Sequence, residues 1–499
     1  MATLRLSFVA LLVGSLMVSA QQIPAPEVFN DVIDVRVVNV EAVVTDQRGE
    51  PVRGLSAADF RLLVDGKEVP IDYFTEVAEG RAAHTAPVEG VAAPREPDEA
   101  VGRSYLVFID ESFAVAGHRD FVLEKIESSL SLLGAEDRMA VLVFDGRQIH
   151  VLCPWTADRS ALARALAEAR RRKTRGSQLI AQHRSMTADV ETTVWAATLM
   201  EYSADEVASL LEPMGKRVSP EARTQLGRTA PAMAAALRGF EAPPGRKVML
   251  LLSGGWSMGV APQLFGPLIE AANRLGYTLY PVDVANPTPL TLKALDGLAA
   301  ATGGKVANAV GQDVFRRVVE DSGSYYWLGF IPAWAGVDRT HSIEVELKRP
   351  GLKVRARHGF SDLSQAKETA LKAEGVLLFG GNAAGQRLIV QLGDPRPAGR
   401  GTIELPVTLG VPVESLALTA LEKGYVAEAP LAIAIVDDKG GRSDVSGPRL
   451  RVAVREVPRG GYARFQTVVK LRRASQRLVF TVRDAVHGGV LWGEASFKP

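Results

Sequence analysis

Ser257 has the clearest potential for chemistry in this sequence. Residues 255–259 read Gly-Trp-Ser-Met-Gly, and a serine in a Gly-x-Ser-x-Gly turn between a strand and a helix is a typical hydrolase nucleophile. An acid and a base follow in a suitable order, for instance Asp283 with His341 or His358. A serine hydrolase is therefore one interpretation, although no glycine-rich segment that would supply an oxyanion loop precedes the motif.

Two other segments carry reactive or charged groups. His150 and Cys153 lie three residues apart on a predicted strand, so they point to opposite faces and are poorly placed as a base and a thiol nucleophile. We expect Cys153 to be packed. Residues 170–175 read Arg-Arg-Arg-Lys-Thr-Arg. This run could bind an anionic polymer, but a basic run at a helix end more often complements the helix dipole.

Alternating strands and helices must position these residues. Five apolar segments are typical of strands: residues 105–109, 139–144, 149–152, 248–252 and 278–282. Helical patterns separate most of them, which predicts a mostly parallel sheet covered on both faces. Residues 174–243 carry helix-like sequence without a convincing strand, and this predicts a helical insertion beside the sheet.

The segments around this region are β-rich. Short strands with turns precede it, and strands follow at 325–330, 341–347 and 354–360. After a polar helical connector, six further short strands between 388 and 482 predict an antiparallel sandwich of immunoglobulin-like kind.

Residues 101–156 resemble a von Willebrand factor type A domain. Residues 109–114 read Ile-Asp-Glu-Ser-Phe-Ala, where that family has Asp-x-Ser-x-Ser after its first strand. Residues 37–67 and 325–360 resemble the two ends of the bacterial VWFA-related domain family, which is common in acidobacterial-type exported proteins. The resemblance covers about residues 32–361 and implies a type A domain inserted into one β-sandwich.

The resemblance also implies a divalent cation site, the metal-ion-dependent adhesion motif, at the carboxyl ends of the strands. Asp110 and Ser112 match its first two positions, whereas Ala114 offers no oxygen at the third. Ser177 stands near the family's threonine, and Gly254 stands where a late aspartate is expected. We therefore expect a degenerate site with Asp110, Ser112 and Ser177 as its remaining ligands. No cofactor is expected, and Mg²⁺ or another divalent cation is the alternative.

The fold class that follows is multidomain α/β plus all-β. A Rossmann-like, doubly wound type A domain is inserted in a β-sandwich and followed by an immunoglobulin-like β-sandwich. The predicted order is a signal peptide (1–20), an N-terminal β unit (21–79), a linker (80–102), the type A-like domain (103–322) with its insertion (174–243), a β unit that pairs with the first (323–361), a connector (362–374) and the C-terminal sandwich (375–499).

Composition and the N-terminus limit the location and the partners. Residues 1–20 resemble a signal peptide that is cleaved near Ala20, and no later segment reaches the ~18 apolar residues of a membrane span. Among 499 residues, 58 Lys and Arg balance 57 Asp and Glu, which does not favour nucleic acid. The single cysteine excludes internal disulfides.

These observations predict a secreted or periplasmic, non-enzymatic type A protein. Its partner would be another protein, or a matrix or envelope component, bound at the carboxyl end of the sheet. The serine hydrolase that uses Ser257 is the alternative from another functional class.

Overall fold

The computed structural model describes residues 37–87, 100–178, 220–240, 242–254, 261–285, 289–307, 313–379, 388–399, 401–413, 416, 418–421, 424–437, 442–455, 461–483 and 490–499. Ile33–Ser364 form one compact unit, and Gln365–Pro499 belong to a second. The predicted signal peptide and residues 179–219 of the predicted insertion lie outside the described residues. Within the described part of the chain, no helix is both long enough and apolar enough to cross a membrane.

The first unit contains fourteen strands and six α-helices in its described residues. In chain order they are β1 (Val38–Thr45), β2 (Phe60–Val64), β3 (Lys67–Val69), β4 (Tyr73–Ala78), β5 (Arg81–Pro87), β6 (Arg103–Asp110), α1 (Ala116–Ser128), β7 (Arg138–Phe144), β8 (Ile149–Thr156), α2 (Arg159–Arg171), α3 (Pro220–Gly239), β9 (Arg246–Ser253), α4 (Ala261–Leu275), β10 (Tyr277–Asp283), α5 (Pro289–Ala301), α6 (Val314–Asp321), β11 (Tyr325–Phe330), β12 (Arg339–Leu347), β13 (Lys353–Arg355) and β14 (Gly359–Asp362).

Strands from both ends of this unit form a sandwich of two sheets. One sheet has the order β13-β1-β11-β4-β5, and the other has the order β14-β12-β2-β3. Their inner faces share one hydrophobic core that includes Val40, Phe60 and Leu328. β5 (Arg81–Pro87) lies within the range 80–102 that was predicted as a linker, so this part of the range is a strand of the sandwich instead.

A five-stranded mixed sheet lies between the two halves of the sandwich in the chain. Its order is β10-β9-β6-β7-β8, with every neighbouring pair parallel except β7 and β8. The strands read as continuous apolar runs because both faces of the sheet are covered. On one face, α1, α2 and α6 pack against Val107 and Ile109 of the central strand. The predicted α/β architecture with parallel strands is confirmed.

α3 (Pro220–Gly239) falls within the predicted insertion and corrects its extent. Ala230, Met233, Ala234 and Leu237 are buried, and the helix packs against α4. α3 therefore belongs to a helical layer of the domain rather than to an added cap. The sequence showed no strand here because the chain crosses from β8 to β9 through helices alone in the described residues.

The second unit is mostly antiparallel. Its elements are α7 (Gln365–Phe379), β15 (Ile389–Leu392), β16 (Arg396–Gly399), β17 (Thr402–Pro412), β18 (Thr419–Leu421), β19 (Gly424–Asp437), β20 (Arg442–Val454), β21 (Tyr462–Arg472), β22 (Gln476–Arg483) and β23 (Val490–Phe497). β17 pairs with β15, β16 and β21, whereas β19 pairs with β18, β20 and β22, and β22 also pairs with β23.

The two sheets of this unit share a core that includes Leu405, Ile433 and Phe480. α7 packs on the other face of the second sheet through Ala373 and Leu377. The predicted connector over 362–374 is therefore largely a packed helix of this unit, which begins before the predicted residue 375. The immunoglobulin-like topology stays a prediction.

Candidate functional site

The candidate site lies where β6 and β9 end, at the point where the strand order of the mixed sheet reverses. In open α/β sheets, this point leaves a crevice beyond the carboxyl ends of the strands. Asp110 is the last residue of β6, and Ser253 is the last residue of β9. The Ser253 hydroxyl donates to Asp110 Oδ2 at 3.0 Å, and the Ser112 backbone N–H donates to Asp110 Oδ1 at 3.0 Å.

Asp110 is fully buried, and its environment disfavours the charged form. Burial raises the pKa of its carboxyl to about 7, although the hydrogen bonds from Ser253 and Ser112 act in the opposite direction. Burial dominates because hydrogen bonds from uncharged groups, which include the backbone N–H of Phe113 as well, do not replace the hydration that a carboxylate loses. Near neutral pH, a large fraction of Asp110 is therefore protonated.

Ser112 is held by a residue that the sequence analysis missed. Gln225 of α3 donates from its side-chain Nε2 to the Ser112 hydroxyl at 2.9 Å and lies 3.4 Å from the carbonyl oxygen of Gly146. A Cβ at Gly146 would lie 2.7 Å from the Ser112 hydroxyl, so glycine leaves the room that this contact needs. No local pattern reveals the Ser112–Gln225 contact, because it joins residues 113 positions apart.

Ser177 lies next to the loop that follows β6, residues 111–115, which we call the Asp110 loop. It does not join the hydrogen-bond network of Asp110 and Ser112. The backbone N–H of Arg175 donates to the Glu111 carbonyl at 2.8 Å, and that of Gly176 donates to the Ala114 carbonyl at 3.1 Å. These bonds hold the chain before Ser177 against the Asp110 loop. The Ser177 side chain is exposed and, within the described residues, forms no hydrogen bond with Asp110 or Ser112.

Gly254 stands where the resemblance places a late aspartate, and the site has no room for that side chain. A Cβ at Gly254 would lie 2.0 Å from Asp283 Oδ1. Asp283 ends β10, is fully buried, and accepts at Oδ1 from the backbone N–H of Ala285 at 2.9 Å. The carboxylate of Asp283 therefore occupies the volume that a side chain at residue 254 would need.

The side-chain oxygens at this site do not fit Mg²⁺, which requires near-octahedral oxygen ligands. Both oxygens of Asp110 accept hydrogen bonds, the Ser112 hydroxyl accepts one from Gln225, and the side chain at Ala114 has no oxygen. Within the part of the chain that the structure describes, no three His, Cys, Asp or Glu side chains form a group that could hold a metal.

The residues of the hydrolase interpretation are not assembled in the described residues. Ser257 lies outside them. His341 is paired through Nδ1 with Asp65 Oδ2 at 2.8 Å, inside the flanking sandwich. His358 is exposed in the same sandwich, while Asp283 lies at the carboxyl end of β10.

His150 and Cys153 have different surroundings. A β-bulge in the pairing of β7 with β8 places His150 opposite Val143 and Cys153 opposite Val141, so the predicted placement of the two on opposite faces is wrong. His150 lies 2.8 Å through Nε2 from Asp145 Oδ2, whereas Cys153 is buried and burial raises the pKa of its thiol. The prediction of a packed cysteine is confirmed.

Comparisons with known proteins give only weak similarity. No family model matches the chain, and no curated protein matches it. Among solved structures, the crystal structure of the SpRpn10 VWA domain is similar at 14% identity and a TM-score of 0.16, covering 40% of this chain and 95% of that chain. An X-ray structure of the Northeast Structural Genomics Consortium target SoR45 is similar at 12% identity and a TM-score of 0.15, covering 23% of this chain and 87% of that chain.

These similarities are too low to assign a family, and the sheet order itself defines the class. The first unit is an α/β domain with a mixed, largely parallel sheet, carried between the two halves of a β-sandwich. Its candidate site is a buried hydrogen-bonded group at the switch point of that sheet.

Proposed function

We propose that this chain is an exported, non-enzymatic protein of the von Willebrand factor type A kind. It binds a protein or a matrix component at the cell envelope through the carboxyl end of its mixed sheet. The observation that carries the proposal is the closed network of Asp110, Ser253, Ser112 and Gln225. Because these polar groups bond to one another, they are not free to act as a nucleophile or a base, which supports a non-reactive role for this end of the sheet.

Binding at this surface needs no divalent cation in our proposal. The first support is that both Asp110 oxygens and the Ser112 hydroxyl accept hydrogen bonds within the fold, while Ala114 has no side-chain oxygen. The second support is the position of Asp283, which excludes a further carboxylate at Gly254. Export is supported by the signal-like sequence of residues 1–20.

Site-specific photocrosslinking of the full-length chain tests this proposal. A photoreactive amino acid replaces Ser177, which is exposed beside the site, and the matched control replaces Glu344, which is exposed on β12. Each protein is irradiated in envelope extract with Mg²⁺ or with EDTA. We expect adducts from position 177 that are absent from position 344 and unchanged by EDTA.

Two outcomes would overturn the proposal. Equal adducts from both positions would show that the carboxyl end is not a preferred binding surface. Loss of the adducts in EDTA would show that a divalent cation is required.

The serine hydrolase stays the alternative, and its support is the motif at residues 255–259 alone. A fluorophosphonate probe distinguishes the two functions because it reacts with activated serines. We expect no labelling of the wild-type protein. Labelling that disappears in Ser257→Ala would replace the binding protein with an enzyme.

A further inference from the structure

The basic run 170–175 divides into cations that hold the fold and cations that do not. Arg170 lies 2.7 Å from Glu127 of α1, and Arg172 lies 2.6 Å from the buried Glu111. These two arginines join α2 and the following loop to the Asp110 loop and to α1. Their charges are therefore compensated within the domain.

The end of α2 is capped by a different residue. The guanidinium of Arg119 on α1 is buried and donates to the carbonyls of Arg170 and Arg172 at 2.9 and 3.0 Å. Carbonyls at a helix end need such donors. Because Arg119 supplies them, the remaining cations of the run are not needed to bond the helix end.

Three cations of the run are left over: Arg171, Lys173 and Arg175 are exposed. In the part of the chain that the structure describes, none of their side chains has an ion-pair or hydrogen-bond partner. The backbone bond from Arg175 to Glu111 holds this loop against the Asp110 loop, so the cations lie at the carboxyl end of the sheet. Arg147 adds a fourth exposed cation from the turn between β7 and β8 at the same end.

Acidic groups lie among these cations and decide what kind of anion fits. Asp145 accepts from the backbone N–H groups of Arg147 and Gln148 and lies beside His150. Glu168 is exposed one turn before Arg172. A uniform polyanion would meet both carboxylates, whereas a short acidic segment can contact the unpaired cations and avoid them.

We propose that Arg147, Arg171, Lys173 and Arg175 form a docking surface, the basic rim, for an acidic peptide segment of a protein partner. The inference rests on the proposed function, because it names the chemistry of a partner at the same end of the sheet. Recognition is electrostatic, so it weakens as salt screens exposed charges over ~10 Å at 0.1 M ionic strength.

Fluorescence anisotropy with a fluorescein-labelled oligoglutamate peptide tests the basic rim. The full-length variant Arg171→Gln, Lys173→Gln, Arg175→Gln is compared with the matched variant Arg396→Gln, Arg464→Gln, Lys470→Gln, whose three cations are exposed in the second unit. We expect the first variant to bind about tenfold more weakly than the wild type and the second to bind within about twofold of it. Neutral glutamines on exposed positions leave the fold intact, which thermal melting verifies.

The outcomes separate this inference from the proposed function. Equal loss in both variants, or tighter rim-dependent binding of heparin than of oligoglutamate, would overturn the acidic peptide as the partner. Adducts from position 177 that persist in the rim variant would leave the binding surface in place and remove only its charge-based recognition. Absence of position-dependent adducts in the wild type would overturn the proposed function itself.

Discussion

The two ends of the mixed sheet give a carboxyl different partners. At the amino end of β9, the guanidinium of Arg246 is buried, lies 3.2 Å from Glu41 of the flanking sandwich and stacks over the Tyr325 ring at 4.3 Å. At the carboxyl end of β6, Asp110 is equally buried but bonds to uncharged donors. Burial raises the pKa of both carboxyls, but at Glu41 the charge of Arg246 acts against this rise, whereas Asp110 has only uncharged donors. The difference between the two ends is therefore the partner that each carboxyl has.

Asp321 shows how opposite charges change the pKa of a buried aspartate. Asp321, at the end of α6, lies 2.7 Å from Arg355 of β13 and 2.8 Å from Lys305. Burial acts to raise the pKa of Asp321, but Arg355 and Lys305 hold it well below its usual range. Opposite charges therefore keep Asp321 ionised, whereas burial without an opposite charge favours the uncharged form of Asp110.

Removing the guanidinium of Arg246, at the amino end of β9, should lower the free energy of unfolding more than any other change described below. Arg246→Met removes a fully buried guanidinium and leaves the half-buried Glu41 without its closest opposite charge, and we expect the free energy of unfolding to fall by about 3–5 kcal/mol. Urea unfolding measures this change. The matched variant Arg316→Met removes an exposed partner of Asp313 and should cost less than about 1 kcal/mol. Equal losses in the two variants would contradict a special role for the buried Arg246 guanidinium.

The raised pKa of Asp110 should make its contribution to stability depend on pH. The carboxyl of Asp110 has its pKa near 3.8 in its ordinary environment and about 7 in the fold. Between these values the folded state binds more protons than the unfolded state. The contribution of Asp110 to stability is therefore largest below the lower pKa and falls as the pH rises, by up to about 1.4 kcal/mol per unit, before levelling above the higher pKa.

Asp110→Asn removes this titration while it keeps an acceptor for the Ser112 N–H. We expect the variant to gain stability over the wild type as the pH rises from mildly acidic to neutral. Urea unfolding across that interval measures the gain. Parallel stability curves for the two proteins would show that Asp110 does not titrate there.

Among the changes at Arg246, Asp110 and Gly254, adding a side chain at Gly254 should alter the free energy of unfolding least. Gly254→Ala places a methyl group against the Asp283 carboxylate, and we expect a loss of about 1–3 kcal/mol in the free energy of unfolding. Gly227→Ala on α3 is the matched control, because its Cβ would meet no atom within 4 Å. We expect this control to be neutral or to gain up to about 1 kcal/mol, because alanine favours a helix interior.

A carboxylate introduced at residue 254 tests whether the carboxyl end of the sheet can bind a cation. Gly254→Asp should not create a cation site, since the new side chain lacks room beside Asp283. Calorimetric titration with millimolar Mg²⁺ should therefore show no binding heat in this variant or in the wild type. Binding heat in the variant alone would show that the missing carboxylate is what disables the site.

Local patterns predicted the strands and missed the contacts between them. The apolar runs of β6 and β7 identify buried parallel strands because both faces of the sheet are covered. Gln225 could not be predicted as the partner of Ser112, since the pairing depends on where α3 packs. Likewise, Ala373 looks like part of a connector in the sequence and becomes a core residue only once β19 and β22 lie beneath it.

The divided sandwich has a consequence for how the chain is made. Trp327 of β11 lies beside Glu41 of β1 in the finished sheet, although 286 positions separate them along the chain. A ribosome therefore releases β1 long before either of its neighbouring strands exists. Such distant pairings form slowly, so the first strand must wait, unpaired and apolar on one face, until almost all of the first unit has been synthesised.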